Sequence, residues 1–285
     1  MRLFNYLIIR GEIMNNAHKL TDKKGYVNIV NSKNSRLTFL TLDRIFLGPG
    51  EKLEHKYEDF ESVIILQQGD FTASVKNNST GNLDSISGSR KDVFDEFPAV
   101  IYIPPGSKIE METKNGLDAI VYSSPSTKSN SPLFINKANI IETTRGALNW
   151  KRKVRVIFGP VSQTNNIIIG ESVSVPGGWI GFPPHKHDVE TDLENPLDEI
   201  YFFKVQGPHG AYALHHTYDL VKGSEEHYTI SEDTAIAIPG GFHTTLAVPG
   251  CRLYMLWGLA GGKKIYKLSF DERFTWLNDA EALYR

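Results

Sequence analysis

The chain has 285 residues, 40% of them apolar, enough to fill one large core or two ordinary ones, and its formal charge of −2 is spread without a long run of either sign. That balance excludes the electrostatic footprint of a nucleic-acid binder or of a protein held on an anionic membrane, and no window approaches the roughly 18 to 20 consecutive apolar residues of a membrane span. Cys251 is the only cysteine, so an intramolecular disulfide is excluded and a thiolate metal site disfavoured, which points to a reducing cytoplasm and a small-molecule partner. Within Cys251-Arg-Leu-Tyr-Met-Leu-Trp257 the thiol reads as a packed group.

Residues 1–13 include Leu7-Ile8-Ile9 but have neither a long apolar stretch nor a small-residue cleavage site, so they do not read as a signal peptide. Met14 opens a polar segment and stands as an alternative start of translation. From Gly25 onward, short apolar runs alternate with turn residues. Strands are predicted over residues 36–46, 62–67, 69–75, 100–103 and 117–122, with turns at Gly48-Pro49-Gly50 and Pro104-Pro105-Gly106 and a loop over 77–82. Residues 123–132 are polar and carry two prolines, which marks a linker, and residues 135–155 carry the chain across. A second set follows over 166–174, 200–205, 211–218, 234–238, 244–248 and 252–257, with a turn at Pro176-Gly177-Gly178 and a tail after Gly261. Strands about every ten residues without helical periodicity predict an all-β, closed or sandwiched antiparallel architecture.

The two sets repeat. Glu61 lies eight residues before Gly69 and 43 before Pro104, and Glu199 lies eight before Gly207 and 40 before Pro239. Two similar barrels in tandem follow, with a leader over 1–24, barrels over 25–125 and 154–285, and a linker over 126–153.

The chemistry concentrates in the second barrel. In an extended strand His185 and His187 point to the same side and Lys186 away from it. Glu199 opens an apolar run, and His243 follows the Pro239-Gly240-Gly241 turn. Three imidazoles and a carboxylate suit a divalent Zn, Mn, Fe, Co or Ni ion and leave coordination positions for a substrate. Glu190, Asp192 and Glu194 are rival ligands nearer the histidine pair; Glu199 is preferred because it opens its strand and shares the place of Glu61. The rivals read as an exposed acidic loop, and Asp188 as a group that orients an imidazole. The first barrel has His55, Tyr57 and Lys108 at the corresponding places, a poor divalent site, and is expected to keep the shape without the ion.

This order of ligands, His-x-His, then Glu, then Pro-x-x-x-His, resembles that of the cupin barrel, so the tandem reads as a bicupin of two double-stranded β-helix (jelly-roll) barrels. From about Gly25 to Trp276 the chain resembles the 5-deoxy-glucuronate isomerases of myo-inositol catabolism, relatives of the 4-deoxy-5-keto-uronate isomerases. The likeness rests on Gly88-Ser-Arg-Lys-Asp-Val-Phe94, Ala99-Val-Ile-Tyr-Ile-Pro104, Glu142-Thr-Thr-Arg-Gly146, Gly170-Glu171, Gly178-Trp179, Leu197-Asp-Glu-Ile-Tyr-Phe202, Pro239-Gly-Gly-Phe-His243 and above all Pro183-Pro-His-Lys-His-Asp188. It implies His185, His187, Glu199 and His243 as metal ligands.

The resemblance also implies isomerisation of 5-deoxy-D-glucuronate to 5-dehydro-2-deoxy-D-gluconate, an aldose-to-ketose conversion of a deoxy-hexuronate with a proton moved from C2 to C1. One of His215 and His216, whose alternation puts only one inside, is the expected base beside Glu199. Lys204 and Arg252 are candidates for the substrate carboxylate, and Tyr201 and Tyr254 for hydrogen bonds in the pocket. Tandem cupins often pair, which implies a homodimer or higher homo-oligomer. The chain departs from the family at His215-His216, at Trp179-Ile-Gly-Phe182 and at Tyr254-Met-Leu-Trp-Gly-Leu-Ala-Gly261, positions expected to line the pocket. Two other functions stay open: a cupin dioxygenase, in which the same ligands hold Fe, and a non-catalytic sugar-acid binder.

Overall fold

The computed structural model describes residues 15–128 and 130–284, so the readings of residues 1–13 and of Met14 fall outside it. Among the described residues strands dominate, and one short α-helix, Leu277–Tyr284, lies in the expected tail. A nine-stranded antiparallel sheet builds the first barrel; a seven-stranded and a five-stranded sheet build the second.

Alternation along the strands explains how the barrels are filled and joined. On Asp198–Gln206, Tyr201 and Phe203 pack into the second barrel with Ile180, Ile236 and Met255, whereas Ile200 and Phe202 turn to the first barrel and meet Val63, Ile65, Ile120 and Tyr122. The Tyr122 hydroxyl reaches the carbonyls of Ile200 (2.9 Å) and Leu256 (3.1 Å) across this seam. Gly258 permits that approach, since a Cβ there would lie 2.5 Å from the Tyr122 ring.

A buried charge cluster crosses the same seam. Glu171 accepts from Arg90 Nη2 (2.9 and 3.0 Å), Arg155 Nη1 (2.7 Å) and the Tyr254 hydroxyl (2.9 Å), and Arg155 Nε also donates to Glu142 (2.7 Å). Arg90, Glu142 and Glu171 come from three separate motifs of the sequence. Here they serve as one clamp between barrels.

Several elements differ from expectation. Residues 62–67 and 69–75 belong to one strand, Phe60–Lys76, with a register shift between Leu66 and Gln68, and the strand predicted from residue 36 begins at Thr41. Lys52–Tyr57, Leu83–Arg90, Ser107–Glu112 and Ser224–Ile230 are strands too polar to have announced themselves. The domain edges interleave. Ala17–Lys19, in the expected leader, pairs with Thr234–Ile238 of the second barrel, whereas Leu133–Ile135, in the expected linker, pairs with Val100–Ile103 of the first.

The register also corrects the repeat. Ser62 pairs with Ile103, just before Pro104, as Glu199 pairs with Ile238, just before Pro239. The counterpart of Glu199 is therefore Ser62, and a one-residue offset reverses the face. Glu61 points at the second barrel, where its carboxylate accepts the backbone N–H groups of Asn165 (2.6 Å), Asn166 (2.6 Å) and Ile167 (3.0 Å). His55 stacks on Tyr26 and touches Tyr57, but Lys108 turns away into ion pairs with Glu54 and Glu110, and the residue paired with His55 is Ile109.

Candidate metal centre

The four predicted ligands meet inside the second barrel. His185 lies on Trp179–Lys186, His187 follows that strand, and His243 lies directly across from His185 on Phe242–Ala247. Glu199 reaches them from the other sheet. Its Oε2 is 3.0 Å from His187 Nε2 and 3.1 Å from His243 Nε2, and the His185 ring centre is 4.6 Å from that of His243. His185, Glu199 and His243 each offer a ligand atom within 4.8 Å of the others. The Phe182–Pro183 peptide bond that leads into the pair is cis.

The hydrogen bonds behind the rings decide what these atoms can hold. His187 Nδ1–H donates to the Leu197 carbonyl (2.8 Å) and His243 Nδ1–H to the Gly241 carbonyl (2.9 Å). A carbonyl only accepts, so Nδ1 carries a proton in both rings, and the two Nε2 atoms face the Glu199 carboxylate, that of His187 at hydrogen-bond distance. A ring nitrogen facing a carboxylate oxygen at about 3 Å needs a positive charge between them, a proton or a metal ion. His243 Nε2 is buried without a hydrogen bond, its contact with Glu199 lying off the line that one requires. Backbone carbonyls behind imidazoles are how proteins orient metal-binding histidines, and the donor set fits a divalent ion.

Electrostatics agree. Burial opposes the charge on Glu199, but the close contacts with His187 and His243 outweigh it and hold its pKa well below the usual carboxylate range. Burial also opposes protonation of His187, whose pKa is nevertheless raised by Glu199. His185 is brought down to about 3 by burial and then by the neighbouring His243.

Other predicted residues separate. Tyr201 is buried with its ring 5.7 Å from His243, and burial and the Glu199 charge raise its pKa far above the ordinary value. Of the adjacent histidines only His215 faces the interior: it is fully buried, Nδ1 2.9 Å from Thr245 Oγ1 and Nε2 3.0 Å from Thr217 Oγ1, with a pKa lowered to about 3 by burial and then by His243. His216 points out of the barrel. Lys204 is bound to Asp233 (2.7 Å) and near Asp118, Arg252 is paired with Asp95 (3.1 Å), and Tyr254 belongs to the Glu171 clamp. The structure does not bring these three to the centre: Lys204 alternates with the inward Tyr201 and Phe203, and Arg252 and Tyr254 alternate with the inward Leu253 and Met255. Trp179 and Phe182, expected in the pocket, stack outside it with Phe274.

The acidic loop also differs from expectation. Glu194 is buried and holds Lys186 Nζ (2.9 and 2.8 Å) and the N–H groups of Asp188 and Val189. Asp188 touches no imidazole; it accepts from Gly241 N (2.8 Å), whose carbonyl orients His243, and so acts one step removed. Glu190 is exposed and paired with Lys263.

Burial opposes ionisation of Glu194, but Lys186, Ser269 and the backbone donors prevail and hold its pKa at about 2, below the ordinary 4.5. Its ionised form therefore stabilises the fold above about pH 4.5, and that contribution disappears as the pH falls toward 2. The melting temperatures of the parent and of Glu194→Gln should differ most near neutral pH and converge toward pH 2. A difference independent of pH would contradict this assignment.

Sequence reasoning missed Arg152 and Tyr266. Register places Arg152 opposite Ser174, on the side of its strand shared with Val154, which pairs with Ser172, whose hydroxyl in turn accepts from Trp257 Nε1 of the inner cluster. Burial lowers its pKa, and Glu281, Arg145, Tyr266 and Tyr201 act on it as further charges. Burial and then Glu199 raise the pKa of Tyr266. Reading residues 152–158 as a strand would have exposed Arg152; nothing local marks Tyr266.

Fold and site together define an all-β tandem cupin with a candidate three-histidine, one-glutamate centre. The sequence profile of the KduI/IolB family matches residues 13–277, and the chain belongs to that family. It is 25% identical to a 5-deoxy-glucuronate isomerase of Geobacillus kaustophilus (82% of this chain, 84% of the relative) and 24% identical to one of Bacillus subtilis strain 168 (92% and 96%). Such relatives are isomerases, intramolecular oxidoreductases, and the chain is an enzyme of that class. Its fold matches the crystal structure of an IolB-like protein from Salmonella typhimurium LT2 with a TM-score of 0.83 at 22% identity (93% of this chain, 99% of that one). It also matches an oxalate decarboxylase of Lactobacillus farciminis with a TM-score of 0.68 at 13% identity (95% and 92%). No helix among the described residues is long and apolar enough to cross a membrane.

Proposed function

We propose that the chain is a cytoplasmic, metal-dependent aldose–ketose isomerase that converts 5-deoxy-D-glucuronate to 5-dehydro-2-deoxy-D-gluconate. The observation that carries this reading is the convergence of His187 Nε2 and His243 Nε2 on the Glu199 carboxylate inside the barrel, in a chain whose relatives are named for that reaction. His185, His187, Glu199 and His243 would hold the divalent ion, which supplies Lewis-acid stabilisation of charge developing on the substrate carbonyl and its neighbouring hydroxyl.

The remaining roles fall to side chains. Tyr201 and Tyr266, kept protonated by burial and by Glu199, donate hydrogen bonds to substrate oxygens. Arg152 replaces Lys204 and Arg252 as the group that meets the sugar carboxylate, for which a guanidinium suits a bidentate contact. His215, with the Thr217 and Thr245 hydroxyls at its two ring nitrogens, is the acceptor of the C2 proton, its basicity, lowered by burial, restored by negative charge on the bound substrate.

Turnover of 5-deoxy-glucuronate in deuterated water, followed by NMR, tests the reading. The expected result is ketose product with solvent deuterium on the carbon that was C1 of the substrate and is C6 of the product, and a His215→Gln variant about 100-fold to 10,000-fold slower, the range for loss of a general base. Product free of deuterium would replace proton transfer by a hydride shift. No product, with oxygen consumed instead, would move the centre to dioxygenase chemistry.

A further inference from the structure

His215 and His216 are neighbours on opposite faces of the five-stranded sheet. On the outer face His216 is the direct cross-strand partner of His227, their ring centres 4.5 Å apart and their planes within 7° of parallel. Glu225, two residues before His227 and so on the same face, places Oε1 2.8 Å from His216 Nε2 and 3.5 Å from His227 Nε2. One ligand atom from each of the three lies within 4.8 Å of the others.

Two further observations bear on this cluster. His216 Nε2 is shielded from solvent yet makes no hydrogen bond, because its contact with Glu225 lies off the line that one needs. His216 and Glu225 also line one end of a cavity of about 550 Å³, whose other walls include Trp179, Phe182, Tyr218 and Phe274. None of the four residues of the central site lines it. A divalent ion shared by all three groups supplies His216 Nε2 with the partner it lacks. Closing on an ion takes a rotation of the His227 ring, which is largely exposed and free to make it.

We propose that His216, Glu225 and His227 form a second divalent transition-metal site, on the outer face of the barrel at the head of this cavity and independent of the central cluster. Two imidazoles and one carboxylate favour Zn, Ni, Co or Cu over Mg or Ca and leave positions open toward the cavity. With two ligands exposed, the ion there exchanges more readily than one inside the barrel.

Titration of chelator-stripped protein with Co²⁺, read by its visible absorption, separates the two sites. The parent is expected to take up two equivalents, His185→Ala/His187→Ala one, His216→Ala/His227→Ala one, and the fourfold variant none. Single His227→Ala should weaken the outer site by more than about 100-fold, since loss of an outer partner alone costs about 10-fold to 100-fold. If His185→Ala/His187→Ala, folded by circular dichroism, takes up no Co²⁺, the outer site does not exist. Equal uptake by the parent and His216→Ala/His227→Ala would overturn it as well. Uptake lost only on changing His216 and His227 would uphold the outer site while sinking the central one.

Discussion

Replacing Glu199 by glutamine is expected to abolish retention of metal by the central cluster and to lower isomerase turnover at least about 100-fold, with the fold intact. The carboxylate is the only negative group among the four, and both His187 Nε2 and His243 Nε2 lie about 3 Å from its Oε2. Glutamine keeps the shape, and its amide, which both donates and accepts, can pair with an Nε2 that faces it, so the empty variant loses an ion site without gaining a buried orphan. Metal content, turnover and melting temperature measured together check this. A Glu199→Gln protein that keeps both metal and activity would show that the carboxylate is not a ligand.

Replacing Glu171 by alanine acts on stability instead, and strongly. Its carboxylate neutralises Arg90 and Arg155, all three side chains being essentially inaccessible to solvent. Breaking a buried pair by removing one partner costs about 3–5 kcal/mol, because the charge left behind has no water to turn to. Arg155 keeps Glu142, but Arg90 retains only the carbonyls of Leu66, Val93 and Glu96. Urea unfolding of Glu171→Ala should show a loss in that range. A loss under about 1 kcal/mol would mean that water or a rearranged side chain replaces the carboxylate, since exposed pairs are worth no more than that.

The architecture and the four residues of the centre were legible because they rest on short-range patterns: Pro-Gly turns, apolar runs, and a His-x-His whose spacing sets its geometry. Other features depended on which face a residue takes. The central strands are buried on both sides, so they read as unbroken apolar runs that hide their alternation. Lys204 and Tyr254 looked like pocket residues for that reason, and Glu61 was matched to Glu199 when the pairing with Ile103 makes Ser62 the counterpart. The clamp joins residues 81 apart in sequence, and no local pattern shows that Arg90 and Glu171 meet. Glu194 read as one charge in a solvated loop, because two of its partners are backbone N–H groups that a sequence does not display.

The most direct test of the central claim is elemental analysis of the purified protein and of His185→Ala/His187→Ala after gel filtration, each then assayed with 5-deoxy-glucuronate. The expected result is close to one tightly held divalent metal per parent chain, lost from the double variant together with isomerisation. A parent that isomerises the substrate with no metal, or a double variant that keeps both, would contradict it.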